Sequence, residues 1–579
     1  MIKKLVRQML AAQIVSALTV SLCLLIDNIM IGRYLGDDAL AAYGLANPVL
    51  MLIGAVGSML CAGVQVACGK SLGRGDQRET NAGYSSAIAV AAVFSIVFVA
   101  CVAIFRMPLA RLMGAKRPEL IEDTGSYMLG FIIGAPASMG ALILVPFLQM
   151  AGQSNLLIAA VLGMTVADVV FDLMNVLVFH GGMFGMGLAS SLSYYVAMLI
   201  GGGYFLTKKC VFRFAPKLVR WDKLRELVHG GVPTVISMAS SVVMVFAVNK
   251  ILMPIGAKEA VAAYAVINTI INACNCISTG SGGVALTLSG ILYAEEDRTG
   301  LKALVGLMLR YSAILGVAVA GFLLAFARPC VTLFIPNAGA SQALAIQGLR
   351  LYAFGLIPCC ANNALKNCWQ GTGRVGLMEV VSVLENALFP VLSAFVLSRL
   401  MGVKGAWFLF TMGELLTTAM MLIYVWRERG KVCWGREDLL LLSADLGVPG
   451  KDGLEADIRD MDELMAFSRQ AEAFCLSHGS PRRLASHLAL CVEEMGGNIV
   501  SHGFGDGKNH LFVRLQVKEG RWTLRFRDDC AAFDPVSHIA EVEAPGESVG
   551  IRLAMRMADE ARYTYSMNLN NLTLVLRDS

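Results

Sequence analysis

Apolar residues in this chain gather into runs long enough to cross a bilayer, which takes about 20 residues each, and short polar stretches separate them. The runs lie at 9–35, 39–68, 83–105, 124–150, 155–180, 186–207, 226–255, 259–293, 302–327, 346–368, 376–400 and 405–426. About twelve spanning helices follow. The basic start, Lys3, Lys4 and Arg7, ahead of an apolar run has the look of a signal peptide. No convincing small-residue cleavage site follows, however, and the apolar pattern runs past Asp27 to Gly36, which predicts a retained first span. After Arg429 the pattern changes: charged residues become frequent and no run could span. Alternating and helical periodicities there predict a strand at 453–459, helices at 461–478 and 481–503, strands at 510–518 and 521–528, a helix from about 549, and strands at 562–567 and 572–577.

The membrane part repeats. GDDALAAYGLANPV at 36–49 resembles GAKEAVAAYAVINTI at 256–270, and MAGQSN around Gly152 resembles QGTGRV around Gly373. A six-plus-six duplication follows, with two bundles around a central cleft, the architecture of alternating access. The expected fold is an all-α membrane protein of about twelve transmembrane helices in two six-helix repeats, 1–215 and 216–430, followed by an α+β cytosolic domain at 438–579.

Composition agrees: 56% of the 579 residues are apolar and the mean hydropathy is +0.63, so lipid is the main solvent. The net charge of +5 comes from short basic clusters and not from a nucleic-acid-like stripe, so no nucleic-acid partner is expected. Those clusters, at Lys3–Arg7, Lys70–Arg78, Lys208–Arg225 and Arg427–Lys431, place both termini in the cytoplasm by the positive-inside rule; Arg106, Arg111, Lys116 and Arg117 break the pattern. The 15 cysteines lack zinc-site spacing and read as small core residues.

Ionisable residues inside spans demand a reason. Asp168 and Asp172, at i and i+4, share one face of the fifth span. Counting about 1.5 Å per residue puts them, with Asp27 of the first span, in the outer half of the apolar core. Such a carboxylate cluster suits binding and release of a proton, and could equally hold Na⁺. The blander alternative has Asp27 reaching the surface near Arg33 and Asp168 bonding a neighbouring helix. Glu385, mid-way along the eleventh span, is the comparable acid of the second half, whereas Glu379 and Glu414 sit nearer span ends and read as structural.

LIDNIMIGRYLGDDALAAYGLANP and DVVFDLMNVLVFHGGMFGMGLASS resemble the first and fifth spans of the multidrug and toxin extrusion (MATE) family, within the multidrug/oligosaccharidyl-lipid/polysaccharide flippase superfamily, over roughly 1–430. The resemblance implies an antiporter in which Asp27, Asp168 and Asp172 couple H⁺ or Na⁺ entry to export of organic cations or amphipathic compounds. Asp168 stands where relatives usually carry Asn. Acids that some members use in the seventh and tenth spans are absent: Ser237 and Asn362-Asn363 occupy those regions.

In the tail, LALCVEEMGGNIVSHGF puts Glu494, Asn498 and His502 on one helical face, where a general base and a Mg²⁺ ligand could meet phosphates. RFRDDCAAFDP ends a strand in acids, and ESVGIRLAMRMADE opens a helix at a glycine. Their order resembles the Bergerat-fold, histidine-kinase-like ATPases, most closely the anti-sigma-factor serine kinases, over about 454–576. That resemblance implies ATP and Mg²⁺ as cofactors, with Glu494 as base, Asn498 as Mg²⁺ ligand, Asp528 reading the adenine amino group and Gly550 in the second glycine box. Cys530 and Ala532 replace the usual glycines of the first box, which favours binding over efficient turnover.

The leading expectation is a cation-coupled exporter with a regulatory ATP-binding domain and a regulatory protein partner. No Gly-x-x-x-x-Gly-Lys loop indicates ATP-driven transport. Two alternatives stand beside it: a lipid-linked saccharide flippase, and a membrane-bound sensor whose tail is a protein serine kinase or weak ATPase.

Overall fold

The apolar runs become helices in the computed structural model, which describes residues 2–207, 210, 212–335, 339–430, 435–443, 446–447, 452–505, 509–541 and 549–577. Lys208, Lys209 and Lys431 of the basic clusters, and the Glu547-Ser548 start of the second glycine box, lie outside the described residues. The first half comprises α1 (Ile2–Met30), α2 (Asp37–Gly73), α3 (Gln77–Leu112), α4, α5 (Ser154–Phe179) and α6 (Gly182–Leu206). Helix α4 is a bent pair, Pro118–Ile132 and Ala135–Met150, with 51° between its parts. The second half comprises α7 (Trp221–Ile255), α8 (Glu259–Ala294), α9 (Arg298–Thr332), α10 (Ala340–Gly371), α11 (Val375–Met401) and α12 (Val403–Arg429). Ten of these are long and apolar enough to cross a membrane and α4 makes eleven; α1, packed on α5 and α8, stands in the place of the first span.

Polar residues set the helix ends. Asp76 caps α3 by accepting the Glu79 amide at 3.0 Å, and Asp297 caps α9 by accepting the Gly300 amide at 2.7 Å. The halves meet where α2 lies against α7 and α8. A Cβ on Gly63 would collide with the Leu227 carbonyl, and one on Gly73 with the Ile291 carbonyl, so glycine lets these backbones touch. Residues 73, 227 and 291 all lie toward the face that bears the C-terminal domain.

That domain is a five-stranded antiparallel sheet of order β1-β2-β3-β5-β4, built from β1 (Gly453–Ile458), β2 (Leu511–Lys518), β3 (Arg521–Asp528), β4 (Glu560–Ser566) and β5 (Leu569–Arg577). The alternation of side chains in β2, β3 and β5 explains its two faces. Leu511, Val513, Leu515, Trp522, Leu524, Phe526, Leu572 and Leu574 turn inward, packed under helices α14 (Met461–Ser477), α15 (Arg482–Cys491) and α17 (Val549–Met557). The opposite face carries Arg514, Arg525 and Arg527, with Arg514 directly across from Arg525. The helix at Pro535–Glu541, α16, went unread in the sequence. A short turn, α13 (Arg436–Leu439), links the membrane part to the domain.

Candidate functional sites

Among the described residues, buried polar side chains gather in the first half, in the second half and in the tail. In the first half, Asp27 of α1 comes to lie between Asp168 and Asp172 of α5, and all three are buried. Asp27 Oδ1, Asp168 Oδ1 and both Asp172 oxygens meet no hydrogen-bond donor; the carboxyls face one another. The sequence brought Asp168 and Asp172 to one helical face, and packing of α1 on α5 adds Asp27. Asp27 does not turn out to the surface. Around the trio stand Tyr43, Tyr127 and Tyr194, with Cys23 and Ser193 beside Asp168. Tyr43 and Tyr127 meet edge-on at 5.2 Å. None of the tyrosines was singled out in the sequence, because each sits on a different helix with no spacing to connect them.

Each acid-bearing helix of the first half contains a π turn just past its acids, Ile31–Leu35 after Asp27 and Asn175–Phe179 after Asp172. These wide turns recur at functional sites. Asn175 fixes the second by accepting the Gly181 amide and donating to the Gly182 carbonyl, both at 3.1 Å.

The second half differs in kind. Glu385, itself in a π turn (Leu384–Leu388), is buried but not alone: it pairs with buried Lys366 of α10. Glu414 of α12 joins the same network, accepting from Asn362 Nδ2 at 2.9 Å and facing Glu385 electrostatically. Asn363 Nδ2 donates to Ser278 at 2.8 Å and Asn386 Nδ2 to Ser237 at 3.0 Å. The lysine inside the apolar run 346–368 was the overlooked signal. The second-half acids thus sit among amide and ammonium donors, while the first-half acids face one another among hydroxyls and a thiol.

In the tail, α15 continues through two π turns, Val492–Gly496 and Ile499–Gly503, which disturb the simple i, i+4, i+8 face. Asn498 stays a turn beyond Glu494, its Nδ2 donating to the Glu494 carbonyl oxygen at 2.7 Å, and His502 is exposed. Glu493 turns away to accept from Ser468 at 2.7 Å, leaving Glu494 toward Gly550, where a Cβ would strike its carboxylate. Asp528, at the end of β3, is buried; Oδ1 accepts from Asn570 Nδ2 at 2.7 Å and from the Cys530 amide at 3.0 Å. Burial pushes the Asp528 carboxyl up, against the pull of Asn570 and Cys530. Cys530, the departure in the first glycine box, tucks its thiol beside Gly503, and burial followed by Asp528 pushes that thiol up to about 12. The substituted side chain is therefore absorbed by a glycine on the neighbouring helix. A carboxylate against Gly550, an amide one turn further on and a buried carboxylate at the end of a strand are the residue types that the resemblance calls for at a nucleotide site.

Comparison with known proteins finds relatives for both the membrane part and the tail. The MatE family pattern matches residues 12–174 and 233–396, and the histidine kinase-like ATPase domain pattern matches 455–576. "Probable multidrug resistance protein YoeA" of Bacillus subtilis is 23% identical over 54% of this chain and 69% of its own length. A "FAD transporter" of Shewanella oneidensis is 25% identical over 35% of this chain, which spans only 46% of that relative. Among solved structures, a MATE protein in complex with MaL6 superposes with a TM-score of 0.68 at 19% identity, covering 73% of this chain and 95% of that one. An outward-facing multidrug resistance MATE transporter gives 0.66 at 20% over 73% and 95%. A MOP superfamily transporter from Pyrococcus furiosus, described by the reverse polarity of its binding pocket, gives 0.68 at 20% over 76% and 97%. With two copies of the family pattern covering more than half its length, the chain belongs to the MatE family of membrane transporters and carries a C-terminal histidine kinase-like ATPase domain.

Proposed function

We propose that the protein is a cation-coupled antiporter, driven by H⁺ or Na⁺, that exports amphipathic organic compounds across a bacterial inner membrane and has both termini in the cytoplasm. The supporting observation is the trio Asp27, Asp168 and Asp172, buried together with oxygens that meet no donor. Three carboxyls packed this way hold together only when protons or a cation lie between them. Loading and unloading that cation would change the packing of α1 on α5, the step that couples it to substrate. Glu385, paired with Lys366, would shape the second half of the cleft. The division into bundles at 1–215 and 216–430 and a domain at 438–579 belongs to the same reading.

The tail would bind Mg²⁺-ATP and regulate transport, with Asn498 holding the metal, Asp528 and Gly550 the nucleotide, and Glu494 orienting water or an acceptor hydroxyl. The bound metal would supply charge neutralisation at the phosphates. Dye efflux from vesicles under a proton or Na⁺ gradient should be lost in Asp172→Asn, a change that keeps the side chain's shape. Unchanged efflux would sink the coupling role. The relative named as a FAD transporter makes flavin dinucleotides worth assaying beside dyes.

A further inference from the structure

Alternating access requires the seam between the two halves to open on one face while it closes on the other. On the face bearing the C-terminal domain the seam is shut, with α2 touching α7 and α8 at Gly63 and Gly73. The domain lies across this seam. Its link is anchored to the second half: Trp369 Nε1 donates to the Leu439 carbonyl at 2.8 Å, Arg429 Nη2 to the Leu442 carbonyl at 2.6 Å, and Leu441 is buried beside Leu365 and Val381. The arginine face of the sheet then docks on the α8–α9 connection of the same half. Arg514 meets Asp297 at 2.7 Å with both side chains about 5% exposed, Arg527 pairs with Glu295, and Arg525 Nη1 donates to the Glu295 carbonyl at 3.2 Å.

The β4–β5 turn reaches the other half. The Met567 amide donates to the Met150 carbonyl at 2.8 Å and Asn568 Nδ2 to the Gly152 carbonyl at 2.9 Å, while Asp529 faces Lys4 of α1 at 3.5 Å. Between these anchor points Met567 and Leu569 fill the junction of Leu5 from α1 with Leu288, Ile291 and Leu292 from α8, around a void of about 20 Å³. One hydrogen-bonded sheet therefore spans both halves, and its paired strands fix the separation of Gly152 from Glu295.

We propose that the C-terminal domain is a clamp: seated on both halves, it holds the seam on its own face closed, and that face opens only after the β4–β5 turn leaves the first half. Release there is the easier step. Among the described residues, the contacts to the second half include two desolvated arginine–carboxylate pairs and the anchored link, whereas those to the first half include two hydrogen bonds, one exposed ion pair, a small apolar contact and the approach of Arg562 and Thr564 to Gly75. The clamp depends neither on the coupling ion nor on nucleotide binding.

The test uses the full-length protein in lipid nanodiscs, with non-canonical spin-label residues replacing exposed Arg78 and Gly376, one on each half at this face. Exchange of the Met567 amide reads docking directly. In Glu295→Arg and in Asn568→Glu the Met567 amide should lose protection, and the population with a long label–label distance should rise about tenfold. The swap Glu295→Arg with Arg527→Glu should return both readings toward wild type. Loss of Met567 protection with an unchanged distance distribution overturns the clamp, as does a wild-type protein that samples the long distance with that amide still protected. Protection of β2 and β3 amides distinguishes undocking from unfolding, and Asn568→Glu, on an exposed turn, carries the test if Glu295→Arg unfolds the domain.

Discussion

Arg527 and Asp528 are consecutive residues of β3 that face opposite sides of the sheet. Arg527 pairs with Glu295 of the membrane part and donates through Nε to Asn571 at 2.6 Å, whereas Asp528 lies in the proposed nucleotide site and accepts from Asn570 at 2.7 Å. The same two asparagines are their register partners on β5. The clamp and the proposed adenine contact are therefore one peptide bond apart.

These two residues should separate by mutation. Asp528→Asn removes a charged acceptor and should weaken ATP binding about ten- to a hundredfold, with Met567 amide protection unchanged. Arg527→Gln should do the reverse, undocking the domain while ATP affinity stays within about twofold. Titration calorimetry and hydrogen exchange on the same preparations would check both.

Asp168→Asn removes one carboxyl at a buried site where the amide keeps its shape. Efflux should persist, and the dependence of rate on proton or Na⁺ concentration should become less steep by about one cation per cycle. Vesicle efflux measured across a pH and Na⁺ series gives the slope. An unchanged slope would remove Asp168 from the coupling set.

Lys366 and Glu385 form a buried pair, and removing one partner strands the other charge. Lys366→Met should destabilise the second half by about 3–5 kcal/mol, and the double variant Lys366→Met with Glu385→Leu should recover most of that loss. Thermal unfolding in detergent, compared across the three proteins, reads the difference.

Docking through Asp297 has a defined pH window. Burial alone would raise its carboxyl, but Arg514 and Arg527, with the Gly300 amide, bring it below its ordinary value. A depressed acid contributes stability above its undocked pKa and loses it as pH falls through the docked one. Protection of the Met567 amide should therefore be flat between about pH 5 and 8, and the Asp297 contribution should fall away only below about 4. Because the pair is desolvated, added salt should shift docking far less than it would for an exposed pair.

The sequence by itself determined a good deal. Helix positions followed from apolar runs, because lipid and backbone hydrogen bonding leave a chain few options there. The two halves followed from the repeat, and the strands of the tail from alternation along 511–518 and 521–528. Asp168 and Asp172 were legible as a pair, since four residues make one helical turn, and Asp27 joined them by a depth count. Tertiary structure decided what stands around those acids. No spacing relates Lys366 to Glu385, or Tyr43 to Tyr127 and Tyr194, since contacts between helices depend on packing angles that local pattern does not encode. The same holds for Arg514, Arg525 and Arg527. In sequence they are ordinary solvent-side residues of an amphipathic sheet. Only the docked domain, which desolvates them against Glu295 and Asp297 some 220 residues away in the chain, turns that polar face into an interface.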